Sequence, residues 1–236
     1  MRGTRIFELK NIATATVIAI AAATGGSAMA QVAPSASEAA AYTGLHAAAQ
    51  KGDIAKIDQL AASKADVNAR GSNGRTPLHV AAFAKQRDAI RALVKAGANI
   101  NLFDKDKYDG VTIASVADDE ETLRVLLALG ANAKLITSRY DGTALIAAAH
   151  LGHDGVVKQL ITAGAPLDHV NNLHWTAAIE AVVLGNGGPR HQETLRALIK
   201  AGANLQLTDR QGNTPLQLAT SRGYAEMVKM LSASAR

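Results

Sequence analysis

Cysteine is absent from this chain, and aromatic residues make up only 3% of it. The first absence excludes a disulfide framework, a thiolate nucleophile and lipid attachment at an N-terminal cysteine, so the fold must be held by packing alone. The second makes each aromatic worth locating. Also missing are a Gly-x-Ser-x-Gly turn, a phosphate-cradling glycine loop ending in Lys-Ser/Thr, and a His-Glu-x-x-His pair. No catalytic residue, metal or cofactor is therefore assigned, and the chain is not read as an enzyme. The formal charge of +5 falls to +3 once Arg2, Arg5, Lys10 and Glu8 near the N-terminus are set aside. That is too little and too scattered for a nucleic-acid binder.

Residues 1–30 read as a cleavable signal peptide. Three cations precede an apolar run from Ile12 to Ala23, and Ala28-Met29-Ala30 before Gln31 has the small-x-small form that a signal peptidase accepts. A retained anchor is the other reading, but the run is shorter than the ~20 residues needed to cross a bilayer. The alanine-rich composition looks bacterial, so the mature protein is expected in the periplasm or outside the cell, with no stable membrane insertion. Residues 31–42, rich in Ala and Ser, read as a flexible lead-in.

From there the chain repeats itself. Thr43, Thr76, Thr112, Thr143, Thr176 and Thr214 are 33, 36, 31, 33 and 38 residues apart, and Gly-Ala-Asn or Gly-Ala-Pro recurs at Gly97, Gly130, Gly164 and Gly202. In the clearest unit, Thr76-Pro77 starts one helix and Gly97 ends a second. One such pair cannot bury both its faces, so copies must stack. Measured from its threonine, the third unit is short, 18 residues from Thr112 to Gly130 against 21 from Thr76 to Gly97. The fifth is long, with an expected flexible loop over Leu184-Gly185-Asn186-Gly187-Gly188-Pro189-Arg190-His191.

Thr76-Pro77-Leu78-His79-Val80-Ala81-Ala82 resembles the opening of the ankyrin repeat, and Thr214-Pro215-Leu216 and Leu45-His46-Ala47-Ala48 resemble it in part. The resemblance implies an all-α repeat solenoid of about six ankyrin repeats over residues 43–231, with paired antiparallel helices joined by projecting β-hairpin loops and a tail at 232–236. It also implies a protein partner bound along those loops and the exposed positions of the first helices. The histidines of the Thr-Pro-Leu-His and Gly-His positions, His46, His79 and His153, are then structural.

Carried over by register, the projecting fingers are 69–75, 103–111, 138–142, 169–175 and 209–213. The exposed first-helix pairs are Gln50 and Lys51, Phe83 and Ala84, Asp119 and Glu120, His150 and Leu151, Val183 and Leu184, and Ser221 and Arg222. Five of the seven aromatics outside the leader fall on these positions. The candidate partner-binding residues are Phe83, Arg75, Tyr108, Arg139, Tyr140, His150, Leu151, His174 and Trp175, since Tyr, Trp and Arg most often anchor interfaces. Packing between hairpins is the competing role for Trp175 and Phe103. Asp104, Asp106, Asp109 and Asp141 are expected to interrupt the cationic character of the fingers. The partner is expected to be a periplasmic protein, approached by this chain as a monomer that acts as scaffold or helper of an enzyme. An immunity protein against a toxic effector is the alternative. A ligand or catalytic site among His150, His153, His169, His174 and Glu180 is a further one.

Overall fold

The computed structural model describes residues 32–234, so the expected leader, 1–30, lies outside the described residues. Six helix pairs follow a short helix α1 (Ala36–Ala40): α2 (Gly44–Lys51) with α3 (Ile54–Ala62), α4 (Pro77–Phe83) with α5 (Arg87–Lys95), and α6 (Gly110–Val116) with α7 (Glu120–Ala128). Then come α8 (Ala144–Leu151) with α9 (Asp154–Thr162), α10 (Ala177–Val183) with α11 (Pro189–Lys200), and α12 (Pro215–Ser221) with α13 (Ala225–Ser234). Helices this short do not persist alone. They are stabilised by stacking: each first helix packs on the next first helix and each second helix on the next second helix, giving two layers. Ala81, Ala82, Ala114, Ala148, Ala149 and Ala181 are buried in the first layer, where a small side chain lets backbones approach. Leu93, Leu126, Leu160 and Leu198 fill the second.

The structure moves the start of the third repeat. Its N-cap is Asp109, whose side chain accepts from Thr112 N; Thr112 itself stands three residues inside α6, where His79 stands in α4. Counted from the caps, the repeats begin at Thr43, Thr76, Asp109, Thr143, Thr176 and Thr214, with spacings of 33, 33, 34, 33 and 38. Asp109 to Gly130 is 21 residues, the same as Thr76 to Gly97, so the third repeat is not shortened. Aspartate and threonine cap alike, and a ruler that followed threonine alone slipped by one turn. The exposed pair of that repeat is accordingly Val116 and Ala117; Asp119 instead N-caps α7, and Glu120 lies in its first turn.

Three other expectations change. The lead-in is not merely flexible chain: Ser35 caps α1, and Glu38 within it accepts from the Tyr42 hydroxyl at 3.0 Å and pairs with Arg75 at 3.0 Å. The long fifth repeat loops only over 184–188, because Pro189 opens α11 and makes it twelve residues long. The last helix continues to Ser234, past the expected boundary at 231. Among the described residues only one finger forms strands, β1 (Ile136–Thr137) antiparallel to β2 (Gly142–Thr143). No helix among the described residues is long and apolar enough to cross a membrane.

Candidate functional site

Three of the five fingers are built by an Asp or Asn side chain five residues before the N-cap, where 69–75 has Gly71 and 138–142 has Ser138. Asp104 Oδ1 accepts from the backbone N–H of Asp106 and Tyr108, Asn171 Oδ1 from Leu173 and Trp175, and Asp209 Oδ1 from Gln211 and Asn213, all at 2.8 to 3.0 Å. The same residues close the loop through the backbone, with Asp104 N donating to Tyr108 O and Asn171 N to Trp175 O. This is the local turn that Asp and Asn side chains favour. In all five fingers, two residues before the following cap, the backbone is left-handed: Gly74, Lys107, Asp141, His174 and Gly212 all have positive φ. Glycine takes that conformation without cost, and the three central fingers hold a side chain there instead.

The fingers are bonded to one another. Lys105 N donates to Asn73 O at 2.8 Å, Ser138 N to Lys107 O at 3.1 Å, and Asn172 N to Tyr140 O at 2.9 Å. Arg210 continues the row by donating to Asn172 O at 2.6 Å, and Arg70 bridges Gly74 O and Phe103 O, each at 2.7 Å. The resulting edge is a connected set of loops rather than separate fingers.

The candidate residues divide on this frame. Arg139, His174 and Leu151 are exposed; Tyr108, Tyr140, Trp175, Phe83 and His150 are half-buried. The Arg139 guanidinium lies over the Tyr140 ring, 5.5 Å from its centroid. Arg75 does not belong to the open surface. It is 2% exposed, pairs with Glu38, donates also to Val32 O, lies 3.9 Å from Asp104 and covers the Phe83 ring at 4.6 Å. The lead-in folded over it is what the sequence did not reveal.

The charge of the fingers also differs from expectation. Asp104 and Asp109 are buried, one as a loop staple and one as a helix cap, and burial pushes both carboxyls up from the ordinary value. Only Asp106 and Asp141 remain exposed against Arg70, Lys105, Lys107, Arg139 and Arg210, which leaves 5 − 2 = +3 on the finger edge.

The histidine-rich region does not converge on one point. His153 Nδ1–H donates to Ser115 O at 2.9 Å, His169 Nε2–H to Asp141 O at 2.6 Å and His191 Nε2–H to His150 O at 3.0 Å, while His174 is at a fingertip. Among the described residues, no group of three or more His, Asp or Glu side chains is placed to hold a metal ion. Glu180 is fully buried, four residues past its cap, where the other repeats carry Ala47, Val80, Ile113, Ala147 and Leu218. Its carboxylate accepts from Asn171 Nδ2 at 3.0 Å and pairs with His150 Nδ1 at 3.1 Å, which ties the finger 169–175 to α8. A depression of about 440 Å³ between α9 and α11, lined by Lys158, Glu193, Arg196 and Lys200, lies in the other helix layer.

Two ankyrin-repeat family models match the chain, one at residues 15–104 and 111–209 and a second at 189–231. An ankyrin repeat domain from Acinetobacter baumannii AYE is similar at 43% identity and a TM-score of 0.76, over 81% of this chain and 97% of that one. A structure titled as the Bd0816 predatory endopeptidase from Bdellovibrio bacteriovorus in complex with immunity protein Bd3460 contains a chain similar at 27% identity and a TM-score of 0.64, over 81% of this chain and 98% of that one. The ankyrin repeat protein YahD of Escherichia coli (strain K12) is 37% identical over 98 residues, 41% of this chain. The chain spans about half of that curated relative, 49%, and 3% of the mask-1 protein of Caenorhabditis elegans.

Proposed function

The chain belongs to the ankyrin-repeat family and is a protein-interaction module, and from that premise we propose that it binds a protein of the bacterial periplasm and serves an enzyme there as scaffold or helper. The observation that carries the binding surface is the finger edge. Lys107, Asp141 and His174 occupy left-handed positions where glycine would be comfortable, they are exposed, and the loops beneath them are bonded into one row. Backbone conformations of that kind cluster at ligand clamps. A row already held in place loses little conformational entropy on association. The periplasmic location is supported by the cation-then-apolar pattern of residues 1–30. The chain acts as a monomer.

Capture from periplasmic extract tests this, with wild type run beside Tyr140→Ala/Trp175→Ala. One protein retained by the wild type and lost by the variant, with both melting at the same temperature, is the expected result. Retention that the substitutions leave unchanged would move the working surface away from the fingers.

Similarity to a chain from the endopeptidase and immunity-protein complex favours a second reading, in which this chain neutralises a toxic effector. The two part on the captured protein's activity: a helper leaves it intact or raises it, and an immunity protein abolishes it.

A further inference from the structure

Three observations fall on the finger side of the stack and name the chemistry of what it takes. The first is charge. Three of the five acidic residues of the fingers, Asp104, Asp109 and Asp209, are consumed in building them, and the exposed remainder is cationic on balance, with Lys107, Arg139 and Arg210 along repeats three to six against Asp106 and Asp141. Lys107 pairs with the exposed Asp141 at 3.5 Å, a pair that solvent screens.

The second is an apolar pair. Leu151 and Leu184 stand eight residues past the caps Thr143 and Thr176, at equivalent positions of adjacent repeats, and are 40% and 41% exposed. Repeats one and six have Lys51 and Arg222 at that position, and repeats two and three have Ala84 and Ala117. Eight residues at 1.5 Å each puts the leucines about 12 Å from the finger bases, within reach of one bound segment.

The third is that the chain already shows such a contact. Glu38, in the alanine-rich α1, reaches the finger 69–75, where its carboxylate takes bonds from Arg75 at 3.0 and 3.1 Å and from Asn73 Nδ2 at 3.3 Å. An acidic side chain on a small apolar helix thus sits on the first finger, 69–75, and the cations of the later fingers continue the same edge beyond it.

We propose that the surface from the finger 103–111 to the finger 209–213, with Leu151 and Leu184 beside it, takes an acidic segment of a partner protein that presents large apolar side chains between its carboxylates. This rests on the reading of the chain as a protein-binding module and states which partner chemistry it selects. A nucleic acid would meet the cations but leave both leucines unused, because its backbone offers them no apolar surface.

The test is selection of a displayed library of random peptides on the full chain. Enriched peptides carry net negative charge with at least one Leu, Ile, Phe or Trp. Their binding weakens about tenfold in Lys107→Glu/Arg139→Glu and by a similar factor in Leu151→Asp/Leu184→Asp, since two rim contacts together amount to roughly one such factor. Both double variants change exposed side chains, and an unchanged melting temperature in each separates a lost contact from a misfolded chain. Enrichment of neutral or basic peptides, or of none, overturns the inference. So does binding of oligodeoxythymidine that Leu151→Asp/Leu184→Asp leaves unchanged. The periplasmic capture sets no condition on charge, so a neutral or basic protein retained there through the fingers would keep the broader reading while this one falls.

Discussion

The two halves of the stack join their repeats in opposite directions. In repeats one and two, a histidine three residues past the cap reaches forward to the next finger: His46 Nε2–H donates to Arg75 O at 2.9 Å and His79 Nε2–H to Tyr108 O at 3.1 Å. In repeats four to six a side chain at the start of the second helix reaches back to the preceding first helix or the loop that follows it. His153 bonds Ser115 O, His191 bonds His150 O, and the Tyr224 hydroxyl bonds Gly185 O at 3.0 Å. Repeat three receives both, through Tyr108 O and Ser115 O, and contributes neither, because Thr112 and Asp119 occupy the two positions. One backbone geometry therefore tolerates two polar solutions to the same need, a buried carbonyl that must find a donor.

The forward tie has a pH dependence, and removing it gives the largest expected effect. His79 is neutral, with Nδ1 accepting from Thr76 N and Oγ1 while Nε2–H donates, and burial foremost, with Arg70 and Arg75 nearby, pushes its pKa down to about 4. An imidazole depressed in the folded state contributes stability that is complete above its ordinary value of 6.5 and is lost as pH falls towards 4. The shift corresponds to roughly 3 kcal/mol. His79→Gln keeps the cap, since Gln217 performs that role in repeat six by accepting from Thr214 N at 2.8 Å. Urea titrations from pH 7 to 4 are expected to show the variant losing about 3 kcal/mol less than the wild type across that interval. Parallel curves would remove His79 as an acid-sensitive joint.

At the seam between the halves, Asp109→Thr is expected to stabilise. Asp109 is 1% exposed, and its Oδ2 has no protein partner while Oδ1 caps α6 and accepts from the Thr112 hydroxyl. A carboxyl whose pKa is raised by burial contributes most to stability in acid and loses that contribution as pH rises through its folded value. Threonine, the cap of the other five repeats, keeps the cap and removes the buried charge. A gain of about 1 kcal/mol at pH 7 is expected, shrinking at pH 4. A loss of stability at neutral pH would mean that the Thr112 hydroxyl bond outweighs the unpaired oxygen.

The same seam marks where the sequence was legible. Repeat number, helix pairing and the loop positions followed from a period near 33, because Thr, Pro and Gly do fixed backbone jobs at helix ends. A substitution that does the same job in different letters was not visible: Asp109 for threonine, or Lys64, left-handed at φ 61, for the glycine that closes later repeats. The burial of Arg75 was hidden for another reason. Its partners Glu38 and Val32 come from a segment outside the repeat, and no period predicts what lies on top of a stack. Likewise Glu180 read as one member of a histidine-rich region, and only the fold shows it answering Asn171 and His150. Exposed finger positions were found by register alone, whereas the charge they display depended on which aspartates the loops consume.

The smallest effect distinguishes the outer fingers from the central ones. Repeats two and six place Gly74 and Gly212 at the left-handed position, and repeat five places His174 there at φ 65. A side chain in that region costs about 1 kcal/mol, partly offset because glycine leaves the unfolded chain more freedom. His174→Gly is therefore expected to raise stability by about half a kcal/mol, and to weaken partner retention in the capture assay at the same time. Opposite movement of stability and binding is the signature of a residue kept for contact. Were both to fall together, His174 would be holding the finger up, and the central fingers would differ from the outer ones only in composition.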